Sequence, residues 1–385
     1  MGGPGLAFET WEGKKLNLAA LYQGTTLVVP TTPKKFVGAS APAVFCQRAK
    51  GCMIESISIL GTGLLGTSVG LALRAAGFKG SITGWNRSPE QAQLAHSMGA
   101  INSIASDPID AARAADVTVL AVPIFATIDF MERLAPILGS NHLVTDVGST
   151  KRMIAETAER LFNTPDRAAF LPGHPMAGKE RGGASLADAN LFRGAVWLFT
   201  PAANSPLKKN DVELVNGAGN GGNLVGKQEV SGHDFSRAES ASQYGGALAP
   251  AGISETGAKL VCEWREWVTK MGAKTLDLDP ARHDELVAWV SHLPQFTATA
   301  LSALLEEEVG DAPELKDVGG RALREMTRLG SSPFSMWRDI AHTNTEAVER
   351  ALLALEQHLA HLRENLRTPA LRDEFEQANK FRRDQ

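Results

Sequence analysis

Three short strings carry side chains whose types and spacing suit redox chemistry on an alcohol. The first, Gly61-Thr-Gly63-Leu-Leu-Gly66, is a G-x-G-x-x-G that follows a β-branched run and opens a helical one. In that setting Gly61 permits a tight turn, Gly63 lets backbone approach a pyrophosphate, and Gly66 lets the helix lie close to its strand. The helix start at Leu64 and Leu65 then faces the anion. The second string, Asp146-Val-Gly-Ser149-Thr-Lys151, and the third, Gly173-His174-Pro-Met-Ala-Gly178, each sit just past a strand signal. A histidine and a hydroxyl on adjacent strand ends, facing a nicotinamide, form a base and an orienting group for alcohol oxidation, which must lose a proton as it gives up a hydride. Taken alone, a loop histidine beside Pro and Gly is as readily a turn residue.

The cofactor type is read at the end of the second strand, where an acidic side chain about 20 residues beyond the glycine turn normally holds the ribose hydroxyls of NAD. Here the residues are Gly84-Trp-Asn86-Arg87-Ser88, without a carboxylate. Arg87 can stack on adenine and pair with a 2′-phosphate while Asn86 and Ser88 donate hydrogen bonds to it, which favours NADP over NAD. The bland reading of Arg87 is a solvated loop arginine. Farther on, Ser291-His292-Leu-Pro-Gln295 interrupts a long helical pattern, and Met326-Thr-Arg328 precedes Ser332-Pro-Phe-Ser-Met336-Trp-Arg-Asp-Ile340. Arg328 is either an anion clamp or a surface guanidinium paired with a neighbour such as Glu325.

The elements that must position these groups follow from periodicity. β-Branched runs at Ile54–Leu60, Ser81–Gly84, Val117–Val122, His142–Val147, Phe170–Leu171 and Val196–Phe199 alternate with helical segments. That grammar predicts an α/β fold, with an N-terminal Rossmann-type dinucleotide-binding domain over 53–201 built on a parallel sheet. The strings at 146–151 and 173–178 then fall at the carboxyl edge of the sheet, where ligands bind. From 202 to 257 the sequence turns to Gly, Asn, Ser and Ala, as in Asn216-Gly-Ala-Gly-Asn-Gly-Gly222, and reads as a flexible insertion. Amphipathic stretches at 258–271, 282–308, 314–328 and 333–366 then predict an all-α dimerisation and substrate domain over 258–385. Its last helix bears Leu352, Leu353, Leu355, Leu359 and Leu362 as a core or dimer seam, and a homodimer is expected through this domain. Residues 1–52 hold Pro4, Pro30, Pro33 and Pro42 without a sustained period and read as a poorly ordered extension. Met53 lies just ahead of the first strand, as a start placed too far upstream would leave it.

Composition narrows the class. The 385 residues suit two domains, and 43% hydrophobic residues supply their cores. With 39 Lys plus Arg against 43 Asp plus Glu, the net charge of -4 gives no reason to expect nucleic acid or an acidic membrane as partner. Cys46, Cys52 and Cys262 are too few and too irregularly spaced for a disulfide framework or a metal cage, so no metal is expected and the compartment is reducing. No apolar run spans a bilayer, since Pro123 and Asp129 break the longest, and the start lacks the basic and apolar regions of a secretory signal. A soluble, cytoplasmic protein is expected.

Taken in order, the glycine turn, Asp146-x-Gly-Ser-x-Lys151, Gly173-His-Pro-Met-Ala-Gly178, Ser291-His-Leu-Pro294, Met326-Thr-Arg328 and Met336-Trp-Arg-Asp-Ile340 resemble the prephenate and arogenate dehydrogenase family of tyrosine biosynthesis. The resemblance covers Met53 to about Leu366, interrupted by the insertion. It implies NAD(P)-dependent oxidative decarboxylation of prephenate to 4-hydroxyphenylpyruvate, or of arogenate to tyrosine. It also implies His174 as the catalytic histidine, Ser149 on the ring hydroxyl of the substrate, Arg328 on a substrate carboxylate, Glu180 near the site entrance and His292 in the substrate pocket. Gln295 is a further substrate-binding candidate, but it departs from the pattern, standing where some members carry a second histidine, which leaves the contact there, and with it the choice between keto acid and amino acid, open. Nothing after the last helix resembles a regulatory amino-acid-binding domain. Two other classes share parts of this sequence: an NADP-linked β-hydroxyacid dehydrogenase or imine reductase has the glycine turn without the Gly-His-Pro-Met-Ala-Gly string, and a non-catalytic nucleotide sensor has no use for His174, Ser149 and Arg328.

Overall fold

A computed structural model describes residues 54–162, 164–201 and 252–384. Six parallel strands form the main sheet: β1 (Ser56–Leu60), β2 (Ser81–Trp85), β3 (Ser103–Ile104), β4 (Val117–Leu120), β5 (Leu143–Asp146) and β6 (Ala169–Leu171), in the order β3-β2-β1-β4-β5-β6. Between them run α1 (Leu64–Ala75), α2 (Pro89–Ser97), α3 (Pro108–Arg113), α4 (Ile124–Leu134) and α5 (Arg152–Phe162). This is the doubly wound dinucleotide-binding order, whose chain direction reverses between β1 and β4 and opens a crevice at their carboxyl ends. Both faces of the sheet are covered, so β4 and β5 are buried throughout and read as near-continuous apolar runs. The polar exceptions pair internally: Ser58 Oγ donates to Thr118 Oγ1 at 2.9 Å, and Thr145 Oγ1 donates to the Leu171 carbonyl at 2.7 Å.

A second, three-stranded sheet orders β7 (Gly173–Pro175), β8 (Val196–Phe199) and β9 (Lys274–Asp277), with β7 antiparallel to β8 and β8 parallel to β9. β9 and the preceding α6 (Glu255–Lys270) lie within the stretch expected to belong to the helical domain from 258 onward. The structure differs at this boundary. Leu260, Trp264 and Val268 of α6 are buried in one cluster with Val119, Leu143 and Trp197, so the helix completes the cover of the nucleotide-binding sheet. Its helical periodicity is legible in sequence, but the surface that receives it is not. The expected insertion also ends sooner than 257, because Ser254 caps α6 by accepting from Gly257 N at 2.9 Å and donates to the Ser140 carbonyl at 2.9 Å. Residues 1–52 and 202–251 lie outside the described residues.

The helical part follows as α7 (Pro280–Val287), α8 (Leu293–Val309), α9 (Leu315–Val318), α10 (Arg321–Thr327), α11 (Phe334–Thr343), α12 (Thr345–Glu364) and α13 (Ala370–Asp384). The stretch 282–308, expected as one helix, is broken by a π-helical turn at Ala288–His292, and 333–366 is broken at Asn344. α13 lies beyond the expected helices; Leu371, Phe375 and Ala378 share one face at helical spacing, yet none of its residues is buried among the described ones. No helix among the described residues is long and apolar enough to cross a membrane.

Candidate active site

The nucleotide cradle sits where β1 meets α1. Gly61 has φ +104°, and a Cβ there would lie 2.3 Å from the Ala121 carbonyl oxygen just past β4, so the turn between β1 and α1 closes only on glycine. A Cβ on Gly63, by contrast, would meet nothing within 4 Å, which leaves the backbone open to a pyrophosphate ahead of α1. α1 has no side-chain cap, and the N–H groups behind Leu64, Leu65 and Gly66 are left for an anion. The residues present therefore fit a dinucleotide. At the end of β2, Arg87 is exposed, and Asn86 Oδ1 accepts from Ser88 N at 2.9 Å. A carboxylate does stand there: Ser88 Oγ donates to Glu90 Oε2 at 2.5 Å. Glu90 opens α2, four residues past Asn86, and escapes a search confined to the strand end.

His174 lies on β7 and is buried. Its Nδ1 is 2.9 Å from His283 Nε2, and His283 Nδ1 is 2.8 Å from Asp284 Oδ1. A carboxylate only accepts, so His283 carries its proton on Nδ1 and presents a bare Nε2; His174 must then donate from Nδ1, which leaves its own Nε2 with a free lone pair. The chain Asp284–His283–His174 thus fixes a neutral histidine in the tautomer of a proton acceptor. Burial holds His174 well below the ordinary histidine value, and the charges of His283, Lys151 and His292 push in the same direction. Burial also lowers His283, against the opposing bond from Asp284.

Asp284 ties this chain to the Ser149 loop. Its Oδ1 also accepts from Lys151 N at 2.7 Å, and Oδ2 accepts from Arg152 N at 2.9 Å, so it caps α5 from another element. Below the loop, Lys151 Nζ and Asp146 Oδ2 form a fully buried pair at 2.5 Å. Asp146 further accepts from Gly148 N at 2.7 Å and Gly173 N at 3.1 Å, joining the loop that carries Ser149 to the strand that carries His174. Ser149 itself is half-buried between these anchors.

The helical part closes the other side. The π-helical turn ends on His292, whose Nδ1 faces Asn344 Nδ2 at 3.3 Å; the amide donates, so the proton of the neutral ring sits on Nε2, which is buried and has no partner among the described residues. Burial lowers His292 to about 4, with Asp284 opposing and His283 assisting. Trp337 meets its edge at 5.8 Å. Arg328 pairs with Glu180 rather than with Glu325, which is held by Arg321 at 2.6 Å. Around the Arg328–Glu180 pair is an open hollow of about 260 Å³ lined by Lys179, Glu180, Arg181, Leu186, Arg328 and Ser331. Gln295 is buried and hydrogen-bonded to Thr299, Leu329 and Ser332.

The structure therefore ties the strand of His174 to the Ser149 loop through Asp146, and it pairs Arg328 with Glu180, a contact the motifs did not suggest. His283, Asp284 and Asn344 were missed. A signal existed: His283, Asp284 and Val287 form the buried face of α7, so two polar side chains occupy positions that a helix normally reserves for apolar ones.

A parallel nucleotide-binding sheet, an open glycine turn and a tautomerically fixed histidine at the carboxyl edge define an NAD(P)-dependent oxidoreductase. Two family models match the chain: the prephenate dehydrogenase nucleotide-binding domain over residues 69–217 and the prephenate dehydrogenase dimerisation domain over 279–380. The chain belongs to the prephenate dehydrogenase family, as its motifs implied. It is 26% identical over 333 residues to the prephenate dehydrogenase of Lactococcus lactis, covering 86% of this chain and 77% of the other. Among solved structures it resembles prephenate dehydrogenase from A. aeolicus in complex with hydroxyphenyl propionate and NAD+, with 24% identity, a TM-score of 0.63 and 86% and 96% of the two chains covered. It also resembles Synechocystis arogenate dehydrogenase, with 25% identity, a TM-score of 0.58 and 86% and 99% covered.

Proposed function

We propose that this chain oxidises prephenate with decarboxylation to 4-hydroxyphenylpyruvate, with His174 as the proton acceptor. The observation that carries the reading is the fixed tautomer: Nδ1 of His174 is committed to His283, and Nε2 is left to take the proton of the substrate hydroxyl. Ser149 holds that hydroxyl in line, and Arg328 grips a substrate carboxylate in place of Glu180. His292 offers its Nε2 donor, unpartnered among the described residues, to a substrate oxygen. The bound nicotinamide supplies the acceptor for the hydride. Loss of carbon dioxide then makes the ring aromatic and the step irreversible.

Prephenate is favoured over arogenate by the charge around the hollow, where Lys179, Arg181 and Arg328 stand against Glu180 alone. That balance suits a substrate with two carboxylates and no ammonium group. Arg87 supports NADP as the preferred cofactor, with Glu90 as the opposing group. A homodimer through the helical part is supported by the match to a dimerisation domain and by exposed Val290, Val318, Phe334, Leu353 and Leu359, apolar side chains that a second copy could cover. Light scattering should give about twice the 41.0 kDa chain mass. The deciding assay follows reduced-nicotinamide absorbance with prephenate or arogenate and with NADP or NAD; turnover of arogenate alone, or of neither, overturns the reading.

A further inference from the structure

We propose that Gln295 is a positioning residue that sets the height of Arg328, and that it does not touch the substrate. The inference rests on the reading of Arg328 as the carboxylate clamp. Gln295 stands in the first turn of α8, 3% exposed. Its two amide protons are both spent, one on Thr299 Oγ1 at 3.1 Å and one on the Leu329 carbonyl at 2.7 Å. Its Oε1 accepts from Ser332 Oγ at 3.0 Å. A primary amide has only two donors, so none is left for a ligand. The residues it holds, Leu329 and Ser332, are the second residue and the C-cap of the 3-10 turn Arg328–Ser331, whose first residue is the arginine.

The same turn is held from a second point by close packing. A Cβ added to Gly330 would lie 2.4 Å from Ser302 Oγ, 3.0 Å from Ser302 Cβ and 3.3 Å from the Ala298 carbonyl, so the turn touches the flank of α8 one to two helical turns beyond Gln295. Polar bonds at Leu329 and Ser332 and a glycine contact at Gly330 together leave the turn one seating on α8. Arg328 is bonded directly to Leu329, so its guanidinium inherits that seating, although its head is largely exposed and its own bond is to Glu180 alone among the described residues. A long, exposed arginine gains a defined position only if its backbone has one.

Steady-state kinetics on the full chain, with the substrate the wild type turns over and saturating nucleotide, tests this. Gln295→Leu should raise the substrate KM about tenfold or more while kcat changes less than about threefold and the nucleotide KM stays put, the signature of lost substrate binding. Arg328→Ala should raise KM further, and the double variant Arg328→Ala/Gln295→Leu should be no worse than Arg328→Ala, because Gln295 acts only through the arginine. Gly330→Ala should reproduce the KM effect without altering Gln295, and adding Ser302→Gly should restore it. This second pair decides the matter if Gln295→Leu does not fold. Additive losses in the double variant would mean that Gln295 meets the substrate itself and would overturn the proposal. An unchanged KM in Gln295→Leu, with Arg328→Ala impaired, overturns the proposal alone; an unchanged KM in Arg328→Ala overturns the reading of Arg328 and the proposal with it.

Discussion

Nδ1 of His174 lies 2.9 Å from Nε2 of His283, and that contact decides which nitrogen of His174 can take a proton. Because His283 is itself oriented by Asp284 at 2.8 Å, the direction of both hydrogen bonds is set by one carboxylate. The same carboxylate caps the helix behind the Ser149 loop. The proposed base and the loop of the proposed orienting hydroxyl are thus registered through Asp284 as well as through Asp146.

His174→Asn should leave the substrate KM nearly unchanged and lower kcat by about 10²–10⁴-fold, the usual worth of a general base. His283→Phe keeps a ring but removes the acceptor, so His174 is free to bind its proton on either nitrogen. A kcat loss of about tenfold or more is expected, smaller than that of His174→Asn. Steady-state rates for the two variants check the order; a His283→Phe enzyme with full turnover would show that the relay does no orienting.

The pH dependence has a definite sign. The base must be neutral, and the folded-state value of His174 is depressed, so activity is lost only as pH falls well below the ordinary histidine value near 6.5. The pH profile of kcat/KM should therefore hold its plateau through 6.5, and an acid limb above that value contradicts the assignment. Stability follows the same sign, since His174, His283 and His292 are all depressed: the unfolded chain takes up protons that the native one refuses, so stability is lost as pH falls from about 6.5. For His292, lowered from 6.5 to about 4, the loss amounts to roughly 3 kcal/mol. Denaturant unfolding at pH 7 and 5 reads about 2 kcal/mol of it, the rest being lost as pH falls through 4.

Cofactor choice is expected to turn on two opposed charges at the end of β2. Arg87→Ala should lower the ratio of kcat/KM for NADP over NAD by about tenfold or more, because a phosphate contact is lost that NAD never makes. Glu90→Gln should raise the ratio, since the carboxylate on Ser88 repels a 2′-phosphate and competes for its hydroxyl donor. Equal effects of Arg87→Ala on both nucleotides would remove the arginine from the phosphate site.

How much of this was legible in sequence depends on the range of the interaction. The glycine turn and the runs that became β1, β4 and β5 announce themselves through local patterns, and so do the loops at 146–151 and 173–178, because strand ends fix them. Partners far apart in sequence did not: His283 is 109 residues from His174, and Asp284 is 133 from Lys151. The π-helical turn at Ala288–His292 was hidden for a different reason, since it keeps helical periodicity while shifting the register of every side chain behind it. The helix of Trp264 is legible from its apolar stripe but its domain is not, because a stripe states that it will be buried and not against what.

The last expectation concerns the pair beneath the Ser149 loop. Lys151 and Asp146 meet at 2.5 Å with both side chains fully buried, so neither charge has water to fall back on. Lys151→Met removes one charge and strands the other against only the Gly148 and Gly173 amides, at a cost of about 3–5 kcal/mol. For a chain of this size a melting point lower by about 4–6 °C is expected. Adding Asp146→Asn withdraws the stranded charge while its side-chain oxygen can still accept from one of the two amides, so the double variant should be more stable than Lys151→Met alone. Thermal unfolding of the two single variants and the double gives the coupling directly. If the losses simply add, the pair contributes nothing as a pair, and the loop that carries Ser149 is held by Asp284 instead.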